Sequence, residues 1–160
     1  RGAPHETDRA RPAAYFLGGA CALRRDAFLA AGGYDESFFY STEEIDLAFT
    51  LTRLGYSIAY APDVIVEHRP AAAGRIADPA LPALRLRNRI ALARRHLPAP
   101  IALVHVTAWG LRTAREARAA RGMREWRAAW REGRRLSVVR RPLPYGTLGR
   151  LHHDGGRVFW

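Results

Sequence analysis

The chain changes character at Pro70. Before it, short apolar runs are broken by glycine, as in Tyr15-Phe16-Leu17-Gly18-Gly19-Ala20-Cys21-Ala22-Leu23 and again at Gly32-Gly33 and Gly55. Beyond it, after a small-residue linker over 71–82 that carries two prolines, arginine-rich runs continue with helical spacing. The first part therefore reads as mixed α and β, and the second as helical. Charge divides at the same place. Residues 1–70 hold 7 arginines against 10 acids, a net of −3, whereas residues 71–160 hold 19 against 5, a net of +14.

Local signals give the order of elements. The run 15–23 predicts a strand whose glycines admit another backbone or a ligand, which makes Gly18 and Gly19 candidate substrate-binding residues. Asp26 opens a short helix that Gly32-Gly33 closes, and an aromatic, acidic loop follows over 34–40. A helix capped by Ser41 or Thr42 runs to Gly55, and strands are predicted over 56–60 and 64–68. Further on, helices are predicted over 83–97, 101–120 and 123–135, with an irregular tail from 142 to 160.

Composition narrows the classes open to the chain. At 48% hydrophobic residues, it can build a core. The single Cys21 rules out an internal disulfide and a multi-cysteine zinc site, fits a reducing compartment, and reads as a buried thiol. The longest apolar run, 101–111, is too short to cross a bilayer, which takes about 20 residues, and nothing reads as a signal peptide. A start at Arg1 suggests a piece of something longer.

The segment Glu43-Glu44-Ile45-Asp46-Leu47-Ala48 carries the strongest chemical signal. On a helix, Leu47, Ala48 and Leu51 follow Glu44 at i+3, i+4 and i+7, so Glu44 heads the apolar stripe. Burial disfavours the charged form of a carboxylate, which is how a protein makes one basic enough to take a proton near neutral pH. The competing reading is a capping box over Ser41-Thr42-Glu43-Glu44, and such boxes are commoner than catalytic bases. Glu43 and Asp46 share a neighbouring face, a crowding that a cation, metal or polyhydroxyl ligand would relieve. His68, at the end of a predicted strand, is a candidate for a divalent metal or a phosphate, against the plain reading of a structural histidine. The adjacent His152-His153 pair points two ways and is weaker.

The basic block admits three readings. Arginines at 112, 115, 118, 121, 124 and 127 recur every third residue, so they spiral around a helix and suit a solvated surface. Trp126 and Trp130, on one face with Met123, suggest an interfacial helix on anionic lipid. Nucleic acid is disfavoured, since no helix-turn-helix, zinc finger or RNA-binding signature accompanies the charge.

Taken in order, Phe16 to Phe28, Gly32-Gly33-Tyr34-Asp35-Glu36-Ser37-Phe38-Phe39, Glu43-Glu44-Ile45-Asp46-Leu47, Arg53-Leu54-Gly55-Tyr56 and Tyr60-Ala61-Pro62-Asp63-Val64-Ile65-Val66-Glu67-His68 resemble the acceptor-side half of family 2 glycosyltransferases of rhamnosyltransferase type. With Arg87-Asn88-Arg89 as the usual follow-on helix, the resemblance covers about residues 14–97. It implies an α/β fold with part of a GT-A, Rossmann-like sheet over 1–70, which the residue pattern continues with a basic helical C-terminal extension over 83–141. It also implies an inverting transfer of sugar from a nucleotide-diphosphate sugar to an acceptor hydroxyl on a glycan or lipid-linked acceptor, with a divalent metal, Mg or Mn. Glu44 then matches the base, Glu43 and Asp46 match acids that contact acceptor or order the site, and His68 matches a histidine near metal or diphosphate. The implied location is the cytoplasm, with the inner face of the plasma membrane as the candidate surface. The nucleotide-binding half and its Asp-x-Asp motif have no counterpart here, so the chain is expected to turn over poorly alone. The rival from another class is a non-catalytic basic module, 83–141, that binds anionic membrane or nucleic acid.

Overall fold

The computed structural model describes residues 9–67 and 81–155. The order is β1 (Arg11–Ala13), α1 (Arg25–Ala30), α2 (Glu43–Arg53), β2 (Ile58–Tyr60), α3 (Leu81–His96), α4 (Ala99–Ala119), α5 (Met123–Arg135) and α6 (Tyr145–His153), with single 3-10 turns at Gly18–Ala20 and Glu36–Phe38. The described residues are mostly helical, with one two-stranded antiparallel sheet in which Arg11 pairs with Tyr60 and Ala13 with Ile58. This suits a part of an α/β protein.

The strand predicted over 15–23 does not form. Gly18–Ala20 curls into a turn closed by the Ala20 amide on the Leu17 carbonyl at 2.9 Å, because the Gly18 amide is taken by a side chain of α2. Nor do residues 64–67 join the sheet, and Ile65 is 90% exposed. A strand needs a neighbouring strand for its backbone groups, and the described sheet pairs only β1 with β2. Residues 145–153, expected to be irregular, form α6 behind Pro144, whose fixed φ suits the position before a first helical turn. Cys21 is exposed, not buried.

α2 divides the core. Its Leu47 and Leu51 pack with Ala27 and with the half-buried Phe16, Leu23, Phe28 and Tyr56. Its Phe49 faces Phe38, Ala91, Leu92 and Leu97, and the same cluster takes in Leu143, Leu148 and Leu151 from the C-terminal end. α3 thus shares one core with the acidic loop and α2. Close approach of α3 to α5 depends on Gly133, where a Cβ would lie 2.7 Å from the Arg87 carbonyl oxygen.

Several arginines are internal clasps. Arg94 donates to the Gly133 and Leu136 carbonyls at 3.0 and 2.8 Å and closes the end of α5, while Arg140 donates to the Arg94 and Leu97 carbonyls at the end of α3. Each satisfies carbonyls that a helix end leaves without intrahelical donors. The backbone after α5 then runs along α3, with the Arg141 amide on the Arg95 carbonyl and the Leu143 amide on that of His96.

Candidate active site

Residues 35–46 are folded by bonds from α3. Asn88 is fully buried, and its side-chain Nδ2 lies 2.7, 2.8 and 2.9 Å from the carbonyls of Phe38, Tyr40 and Ser41, so its two N–H groups serve three acceptors with one hydrogen shared. Arg87 donates to the Ser37 carbonyl and to the Asn88 side-chain oxygen, both at 2.7 Å, which fixes the orientation of that amide. The loop so held is strained, with Phe39, Ser41 and Thr42 at φ of 50°, 64° and 122°. Such conformations cost on the order of 1–3 kcal/mol each and persist only where the surroundings over-determine them. Asn88 and Arg87 supply that determination.

The capping box is not made. Thr42 precedes α2 without a side-chain cap bond, and its buried hydroxyl has no partner. Glu44 instead reaches across to the first segment, where its Oε1 accepts the Gly18 amide at 3.2 Å. Glycine leaves room for this contact, since a Cβ on residue 18 would lie 2.9 Å from that oxygen and the carboxylate would have to shift. Gly18 therefore admits the Glu44 carboxylate.

Gly18, Gly19, Glu43 and Glu44 line one open hollow of about 750 Å³, together with Tyr34, Asp35, Glu36 and Phe39. Desolvation, followed by the nearby Glu44, pushes the Glu43 carboxyl above its ordinary range, and its Oε2 is buried without a partner. Tyr34 is likewise pushed up, first by burial and then by Cys21 and the two glutamates. Phe39 is 79% exposed at the rim. An acidic floor with aromatic walls suits a polyhydroxyl ligand, whose hydroxyls donate to carboxylates and whose apolar faces lie on rings.

Asp46 lies behind the hollow. It is 4% exposed, and its two oxygens accept from Arg95 Nη1 and His96 Nε2, each at 2.8 Å. Arg95 also pairs with Asp35, whose other oxygen accepts the Ser37 amide at 2.9 Å. Burial alone would raise the Asp35 carboxyl, but the bonds from Ser37 and Arg95 hold it below the ordinary range. Burial pulls His96 below its usual pKa despite the bond to Asp46, so the ring is neutral near pH 7 and donates through Nε2. Asp46 thereby anchors α2 on α3. His68 lies outside the described residues.

The divalent cation implied by the resemblance finds no group of three His, Cys, Asp or Glu side chains suited to it among the described residues. Asn88, Arg95 and His96 were not singled out from the sequence. The usable signal was a polar Asn88 four residues from both Leu84 and Leu92, in the middle of an apolar face. Tertiary contact alone shows that it holds a loop.

The tryptophans expected at an interface face inward. Trp126 donates its indole N–H to Thr113 at 3.0 Å, and Trp130 lies against Gly110, where a Cβ would meet its ring at 3.0 Å. Trp109 lies beneath the guanidinium groups of Arg89 and Arg112, at 4.3 and 5.1 Å from its ring centroid. Burial lowers Arg89 to about 10, and the group remains charged at neutral pH.

Two curated proteins resemble the chain, each named N-acetylglucosaminyl-diphospho-decaprenol L-rhamnosyltransferase, from Mycobacterium tuberculosis strains CDC 1551 / Oshkosh and ATCC 25618 / H37Rv. Each is 36% identical over 89 residues, which is 54% of this chain and 28% of the relative. The chain thus spans little more than a quarter of those relatives' length. No protein-family model matches it, and no solved structure matches it. About half of the chain is, on this similarity, glycosyltransferase-like.

Proposed function

We propose that this chain forms the acceptor side of an inverting, family 2 glycosyltransferase of GT-A type, which passes a sugar from a nucleotide-diphosphate sugar to a hydroxyl of a lipid-linked or cell-envelope glycan. The observation that carries the reading is the Glu44 carboxylate fixed on the Gly18 amide at the edge of an acidic, aromatic-walled hollow. The likeness to rhamnosyltransferases named for a diphospho-decaprenol acceptor supports the choice of acceptor class.

The Gly18 bond holds Glu44 Oε1, and among the described residues no other donor engages this carboxylate, so Oε2 is left for an acceptor hydroxyl. In the proposed step Glu44 takes the hydroxyl proton as the acceptor oxygen bonds to the anomeric carbon, and the bond from that carbon to the nucleoside diphosphate breaks with its electron pair on the leaving phosphate. Tyr34 and Phe39 would lie against the sugar ring. A Mg or Mn ion, with His68 among its ligands, belongs to the proposal as the group that would neutralise the departing diphosphate.

The test is sugar transfer by the protein as its host makes it, with Glu44→Gln. Transfer should be lost while nucleotide-sugar binding persists, and unchanged turnover overturns the assignment. Glu43→Gln belongs in the same assay, because Glu43 is the hollow's carboxyl with a raised pKa. Loss of transfer in Glu43→Gln alone would move the base to that residue.

A further inference from the structure

We infer that the outward face of α4 is a docking surface for an anionic phospholipid bilayer. α4 has two unlike sides. His105, Gly110, Thr113 and Ala117 are buried, and on this side Thr113 and Gly110 meet the tryptophans of α5. On the other side Pro100, Leu103, Val104, Thr107 and Leu111 form one stripe at helical spacing, with Leu103, Val104 and Leu111 at 68%, 53% and 57% exposure. Three large apolar side chains in one line on one helix differ from the scattered apolar residues of an ordinary surface.

The same stripe continues into Arg115 and Arg118, which are exposed and pair with no carboxylate of the described residues. From Pro100 to Arg118 the stripe is about 27 Å long at 1.5 Å per residue. An apolar half joined to a cationic half fits a helix lying in a headgroup layer, with leucines between acyl chains and guanidinium groups on phosphates. No described helix is long and apolar enough to cross a membrane, so contact would be along a surface. The net of +14 over residues 71–160 supplies charge complementarity to anionic lipid. Nucleic acid explains the arginines but leaves three leucine and valine side chains against water and phosphate. The tryptophans play no part, being packed between helices.

The inference does not depend on sugar transfer, and it is read on the chain itself. The full 160-residue chain is sedimented with vesicles of one part phosphatidylglycerol to two of phosphatidylcholine, with phosphatidylcholine alone, and with duplex DNA. Binding is expected to the anionic vesicles only, weakening as salt rises. The double variant Leu103→Asp with Leu111→Asp should bind at least about 10-fold more weakly, since both side chains are outside the core. Arg115→Glu with Arg118→Glu should also weaken binding, and it decides the matter if the leucine variant does not fold by circular dichroism. Wild-type binding to neither vesicle, binding to DNA instead, unchanged vesicle binding by the folded variants, or a dimer that the leucine variant dissolves each overturns the inference.

Discussion

Gly18 and Glu44 are in contact across 26 residues of sequence: the Gly18 amide donates to Glu44 Oε1, and residue 18 has no space for a side chain beside that oxygen. The contact ties the turn at 18–20 to the first turn of α2, and it sets where the carboxylate sits in the hollow.

Gly18→Ala tests this contact. The added carbon would meet the end of a flexible side chain, so the fold should lose less than about 1 kcal/mol, read by urea unfolding. Sugar transfer should fall far more steeply, by about 100-fold, because a displacement of about 1 Å is costly at a reacting centre. Equal activity in the variant would show that the Gly18 bond does not position the base.

Asn88→Ala should lower stability by about 2–4 kcal/mol, because three backbone carbonyls lose a buried donor and the loop they hold is strained. Asn88→Asp should be no better, since a carboxylate cannot donate to a carbonyl. Urea unfolding of the three proteins measures both effects, and an Asp variant as stable as the native chain would refute the donor role.

His96 gives a pH dependence of known sign. Its pKa is lower in the folded chain than the ordinary value of 6.5, through burial first. Its contribution to stability is therefore fully present above about pH 6.5 and is lost as pH falls through the folded value, with a slope of at most about 1.4 kcal/mol per pH unit. His96→Gln should flatten the fall in unfolding free energy between about pH 7 and 5. An unchanged profile would mean that another group titrates in that window.

Much of the helical framework was legible in the sequence. The helix at Glu43–Arg53 follows from the spacing of Leu47, Ala48 and Leu51, and Met123–Arg135 from Gly122 before it and its own periodicity. The strands were legible only in part, since residues 56–60 hold β2 at Ile58–Tyr60 while 15–23 form none. Residues 15–23 have the composition of a strand, but Gly18 takes its hydrogen bond from α2, and composition says nothing of partners. Arginine periodicity was equally silent on role. Arg87, Arg94, Arg95 and Arg140 are structural clasps, while Arg115 and Arg118 lie exposed on an outer face.

What the sequence by itself determined is local: an acidic start to an amphipathic helix, glycines where no side chain fits, a cationic second half, and an ordered likeness to glycosyltransferases. Such features depend on neighbours a few residues away, which spacing reports. Only the tertiary structure decided that Glu44 reaches Gly18 instead of capping its own helix, that Asp46 is held by Arg95 and His96, and that α3 shapes the loop through Asn88. Those outcomes turn on desolvation and on donors 26 to 50 residues away. A buried carboxylate or carbonyl takes whichever partner the packing brings to it.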